Sequence, residues 1–203
     1  QMQETAQETI LSQPNILLLS PTGSGKTLAF LLPIFELLQP EIKDVQCLIL
    51  VLSREHALEI EQVWKKMGTS YKINACYGGH SLETELKNLS NPPAILVGTP
   101  GRIADHIDRN SFQAKFIKTL VLDEFDKSLQ LGFHEQMSSI ISRLNAVNKR
   151  VLVSATSSIE IPKYTHVTNP FVLDFLTEET QNTNLNTKTV LSADKDKLQT
   201  PFQ

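Results

Sequence analysis

The chain has 203 residues, 40% hydrophobic and 20% charged, which suits one folded α/β core and leaves no room for a second complete domain. A formal net charge of -3 excludes attraction by a bulk basic field, so any nucleic-acid contact must come from local groups. No apolar run approaches the roughly 20 residues that span a bilayer, and the two cysteines, Cys47 and Cys76, form neither a disulfide framework nor a zinc pattern.

The expectation is therefore a chain with reduced thiols, cytoplasmic, with no membrane contact. Residues 1–9 are polar and lack the basic and apolar stretches of a secretory signal, and the pattern opens partway through a motif, so a natural N-terminus further upstream is expected. Residues 4–11 read as a short helix, and Pro14-Asn15 as the turn into a first strand at 16–19. Further strand-length apolar runs follow at 46–52, 73–76, 94–97, 120–122 and 151–153, with helical spacing between them at 27–38, 55–67, 82–89, 103–107 and 133–147. This alternation predicts an α/β fold, a mostly parallel twisted sheet with helices on both faces. The functional loops of such a sheet lie at the carboxyl ends of its strands. Beyond 171–175 the composition turns to Thr, Asn, Glu, Gln and Lys over 177–188, which is linker composition, and 189–203 is too short to build a core.

The sharpest motif is Ser20-Pro21-Thr22-Gly23-Ser24-Gly25-Lys26-Thr27, which follows an apolar strand and opens a helix. Gly23 and Gly25 let the backbone turn its N–H groups inward, and the helix adds its positive N-terminal end. Lys26 is placed to reach β and γ phosphates, and the Thr27 hydroxyl to meet Mg²⁺. Ser20 stands where the general pattern has its first glycine. The second motif, Leu120-Val121-Leu122-Asp123-Glu124-Phe125-Asp126, is an apolar strand ending in carboxylates. Alone it reads equally as a solvated turn. Beside a phosphate loop, Asp123 reads as a metal ligand and Glu124 as the group that polarises an attacking water.

Ser53-Arg54-Glu55, Gly78-Gly79, Thr99-Pro100-Gly101-Arg102, Leu131-Gly132-Phe133 and Ser154-Ala155-Thr156 follow in order around these two motifs. Singly, each reads as a turn, a surface charge or a helix start. Together the series resembles the first RecA-like domain of DEAD-box RNA helicases, from about Gln3 to Phe175. The resemblance implies a RecA-like P-loop domain at 1–176, with 177–203 as the linker and the start of a second RecA-like domain. It implies ATP and Mg²⁺ as cofactors, with Gln3 as the adenine-reading residue of a truncated Q motif. Arg54, Gly78, Gly79, Thr99, Pro100, Gly101 and Arg102 would hold the backbone of single-stranded or duplex RNA, a contact that carries no sequence information. Asp126, Ser154 and Thr156 would couple nucleotide state to that grip.

Three departures stand out: Phe125 where the family has alanine, Leu52-Ser53-Arg54-Glu55-His56-Ala57 where it has Pro-Thr-Arg-Glu-Leu-Ala, and no second-domain motif. Phe125 is expected to pack beneath the Ser154-Ala155-Thr156 loop. The arginine finger, worth roughly 10³ to 10⁵ in rate, belongs to the second domain, so the isolated chain is expected to be a nearly inactive monomer. An ATP-switched RNA clamp with little turnover and a superfamily 2 DNA helicase are the competing readings. Trp64 reads as core, and His80, His106 and His134 as surface or helix-end residues, not metal ligands.

Overall fold

Successive residues of the central strands face opposite ways, and this divides the core in two. In β2 (Cys47–Leu50), Cys47 and Ile49 join the apolar cluster on one face of the sheet, Leu48 and Leu50 the cluster on the other. The same alternation runs through β4 (Ile95–Gly98), β5 (Thr119–Leu122) and β6 (Lys149–Ser154), where Val151 and Val153 face one way and Leu152 the other. A strand covered on both faces has no polar side, which is why these segments read as unbroken apolar runs.

This computed structural model describes residues 2–157 and 160–176, and the tail read as a linker lies outside them. β1 (Asn15–Leu19), β3 (Ile73–Cys76) and β7 (Phe171–Asp174) complete a seven-stranded sheet in the order β3-β4-β2-β5-β6-β1-β7. Every pairing is parallel. The carboxyl ends of all the strands therefore form a single rim, and the expected α/β sheet with helices on both faces is what forms. β7, which the apolar pattern does not predict, pairs with β1 at the edge.

One face is covered by α1 (Met2–Ser12), α2 (Lys26–Leu37) and α3 (Arg54–Lys66), through Ile10, Phe30, Ile34, Ile60 and Trp64. Trp64 is core as expected, and its Nε1 donates to the Tyr71 carbonyl at 2.9 Å. The other face carries α4 (Leu82–Leu89), α5 (Pro100–Asp108), α6 (Phe125–Gln130) and α7 (His134–Ile141). Its cluster includes Leu89, Ile103, Met137, Ile140 and Phe125.

Two helices differ from expectation. The stretch read as one helix over 133–147 ends at Ile141 and continues as turns that still bury Leu144 and Val147, so the apolar spacing outlasts the helix. α6 was missed because it is short and begins inside the acidic motif itself. Phe125 is 3% exposed and fills the layer that includes Leu152 of β6, the strand leading into Ser154-Ala155-Thr156.

Candidate functional site

The phosphate loop closes between β1 and α2. Gly23 (φ 80) and Gly25 (φ 91) both adopt the left-handed conformation that glycine supplies without strain. Ser20 is wholly buried, and its hydroxyl meets Ser24 Oγ at 2.6 Å and Met2 Sδ at 3.2 Å, so it fastens the loop where a glycine would leave space. Gln3 reaches the loop from α1: a Cβ on Gly25 would meet its Nε2 at 2.7 Å. Lys26, the first residue of α2, is 9% exposed, and its Nζ is buried without a hydrogen-bond partner. A buried amine of this kind is costly unless an anion completes it. It faces a cavity of about 360 Å³ lined by Thr22, Gly23, Gly25, Thr27, His56, Glu59, Asp123 and Glu124. A larger depression, about 650 Å³, lies at the far end of α5 around Phe112 and Arg143 and contains none of the expected site residues.

Asp123, 4% exposed at the tip of β5, accepts from the Glu124 amide at 3.0 Å and meets His56 Nε2 at 3.0 Å. Burial pulls the His56 pKa down, but the hydrogen bond to Asp123 and the charges of Asp123, Glu124 and Glu59 outweigh it, leaving the imidazole above its ordinary value. Glu124 takes a positive φ of 52°, which turns it off the strand line. Burial pushes its carboxyl up, but the hydrogen bond and charge of Lys127, at 2.7 Å, hold it below the usual carboxylate range. The donor set fits the expected ligands: a helix N-terminus and an unpaired amine for phosphate, and oxygens of Thr27 and Asp123 for a hard cation.

The residues expected to couple nucleotide state to RNA grip also meet. Thr156 Oγ1 donates to Asp126 Oδ2 at 3.2 Å, and Ser154 Oγ bonds the Thr156 carbonyl at 2.9 Å. The other oxygen of Asp126 is buried without a partner.

On the other half of the rim, Arg54 is exposed at the start of α3, its guanidinium 5.4 Å from the centre of the Tyr77 ring. Ser53 caps that helix by accepting from the His56 amide at 3.1 Å, so the departure from threonine leaves the capping role in place. Gly78 and Gly79 lie exposed after β3, and Thr99 and Pro100 start α5, with proline where its missing N–H is no loss. Arg102 is differently placed: its Nη1 donates to Glu85 Oε2 at 2.9 Å and its Nη2 to the His80 carbonyl at 3.1 Å. His106 lies in the last turn of α5, as the helix-end reading has it, but it is wholly buried and meets Glu85 Oε2 at 2.8 Å, so it is not a surface residue. Cys76, Glu85 and His106 come close enough to share a metal ion. However, burial, with the charge of Glu85, pushes the Cys76 thiol up to about 12, and Arg102 already neutralises the carboxylate.

Sequence reasoning missed His56, Glu85 and Lys127. Only His56 left a signal, as the departure from leucine; Glu85 and Lys127 look like ordinary helix charges.

A family model for DEAD/DEAH box helicases matches residues 1–163. The ATP-dependent RNA helicase CshA of Limosilactobacillus reuteri is 37% identical over 164 residues, which is 80% of this chain and 33% of that protein. Among solved structures, a DEAD box protein from Methanococcus jannaschii is similar with a TM-score of 0.72 and 33% identity, over 80% of this chain and 44% of that one. The DEAD-box helicase Mss116 bound to ssRNA and UDP-BeF is similar with a TM-score of 0.77 and 29% identity, over 85% of this chain and 39% of that one. The chain thus spans about a third of the CshA relative's length.

Proposed function

The chain belongs to the DEAD/DEAH box helicases, and from that premise we propose that it is the ATP-binding first domain of an ATP-dependent RNA helicase. The observation that carries this reading is the buried, unpartnered Lys26 amine facing one cavity with Thr27, Asp123 and Glu124. Lys26 and the amides of Thr22, Gly23, Ser24 and Gly25 hold the phosphates, while Gln3, lodged against Gly25, reads the adenine. Thr27 and Asp123 hold Mg²⁺, which neutralises phosphate charge. Glu124 orients and polarises the attacking water, a role that requires its carboxylate to leave Lys127. Asp126, Thr156 and Ser154, joined to one another by hydrogen bonds, couple that end of the site to the bound strand.

RNA backbone is held along the other half of the rim by Arg54, the Gly78-Gly79 turn and the loop of Thr99, Pro100, Gly101 and Arg102. A second RecA-like domain supplies the closing surface and the arginine that hydrolysis needs. The free thiols of Cys47 and Cys76 support a reducing, cytoplasmic setting, and the domain works as a monomer. The test is phosphate release by a longer protein that carries both domains, with an RNA strand, a DNA strand of the same length, or none. RNA should stimulate release strongly. Equal stimulation by DNA would favour a DNA helicase, and RNA binding with negligible turnover would favour a clamp.

A further inference from the structure

Glu85 is 1% exposed, and its carboxylate takes polar contacts from two neighbouring segments. Oε1 accepts from the Tyr77 amide at 3.2 Å and meets His80 Nδ1 at 3.0 Å, both on the turn after β3. Oε2 accepts from Arg102 at 2.9 Å and meets His106 Nε2 at 2.8 Å, both on α5. Arg102 adds its second bond to the His80 carbonyl at 3.1 Å, so its fork closes a ring between the Gly78-Gly79 turn and the start of α5. These are the two loops assigned to the RNA backbone. The Arg102 side chain is 14% exposed and its charge is matched, whereas Arg54 stands exposed on the same rim.

We propose that Arg102, half-buried, and Glu85, buried, form a positioning pair that shapes both loops for an RNA backbone, and that Arg54, not Arg102, supplies the cation facing a phosphate. The inference rests on the RNA-binding reading above. A planar guanidinium can bond a carboxylate and a carbonyl at once, a geometry that lysine does not reproduce. A cation already neutralised by a carboxylate displaces no counterion when RNA binds, so it adds nothing to salt dependence.

The test measures binding of a fluorescent oligouridylate to the chain over a range of salt concentrations. Arg54→Gln should lower the slope of log affinity against log salt by about 0.7, the value for one phosphate contact on a single strand. Arg102→Lys keeps the charge and loses the fork. It should weaken binding about tenfold with an unchanged slope; Glu85→Gln should weaken binding by a similar factor, and the double variant should be no worse than the weaker single. Arg102→Lys binding like the parent, or Arg102→Gln lowering the slope as Arg54→Gln does, would overturn the proposal. If the parent chain binds no oligouridylate, the RNA-binding reading fails instead. The pair is then tested by amide exchange at residues 77–80, which must quicken in Arg102→Lys and Glu85→Gln; unchanged exchange there refutes it.

Discussion

On the side of the rim built from β1, β5 and β6, Lys26 Nζ and Asp126 Oδ1 are buried without partners, whereas on the β3 and β4 side Glu85, Arg102, His80 and His106 satisfy one another. Both sides rise from the same parallel sheet and the same kind of strand-end loop. The difference lies in what completes them. An unpaired buried amine or carboxylate oxygen carries a desolvation penalty that a ligand or a partner surface can relieve. A matched network keeps its shape before anything binds. The side proposed to hold nucleotide is thus left open to be finished from outside, and the side proposed to grip a strand arrives finished.

The largest effect should come from finishing the open side. The chain alone should hydrolyse ATP slowly, and joining the second domain, in trans or as a longer chain, should raise phosphate release by about 10³ to 10⁵, the range attributed to an arginine finger. Glu124→Gln should remove that gain. Rapid RNA-stimulated hydrolysis by the chain alone would mean that the nucleotide side is already complete, and the contrast would break.

Stability sharpens the same contrast. Glu85→Ala should lower unfolding free energy by about 2–4 kcal/mol in urea denaturation, because it removes a buried acceptor and leaves the half-buried Arg102 guanidinium and the buried His106 without their partner. Lys26→Ala should cost nothing or stabilise slightly, since it removes a buried group that has no partner. The same Lys26→Ala change should weaken nucleotide affinity about 100-fold or more by calorimetry, equivalent to about 3 kcal/mol, and leave oligouridylate affinity as it was. Similar denaturation curves for the two variants would show that the two sides are not differently completed.

The open side was the more legible in sequence. Phosphate binding needs glycines, a lysine and a hydroxyl at fixed spacing on one turn, so the chemistry and its context are local. Asp123 and Glu124 are likewise adjacent, and the apolar run of 120–122 that precedes them puts them at a strand end. The strand order itself was not readable, because alternation of strands and helices predicts a parallel sheet without saying which strands are neighbours. The matched side was legible only in its loops. Glu85 lies in a helix whose other charges face water, and its burial depends on α5, which packs there through long-range contacts that no local pattern displays. The burial of His106 is illegible for the same reason: a lone histidine near a helix end is ordinary until the helix docks.

His56 joins the two sides, since it sits two residues after Arg54 in α3 and lines the cavity that Lys26 faces, and it should give the smallest effect. Its folded-state pKa is raised, so the protonated imidazole stabilises the fold. That contribution is fully present below its ordinary value of about 6.5 and is lost as pH rises through the folded-state value. Glu124 acts in the opposite sense, because its lowered pKa gives stability that is lost only as pH falls below the usual carboxylate range, so the two windows do not overlap. Without nucleotide and with a metal chelator present, the chain should therefore lose stability, by under about 1 kcal/mol, between pH 6 and 8 relative to His56→Leu. The difference between the two proteins isolates His56 from the other histidines. Added ATP and Mg²⁺ should erase that difference, because Asp123 then faces a metal ion in place of the imidazole. A pH dependence identical in the parent and His56→Leu would show that the 3.0 Å contact carries no net charge interaction, and that His56 does no more here than a leucine of similar bulk.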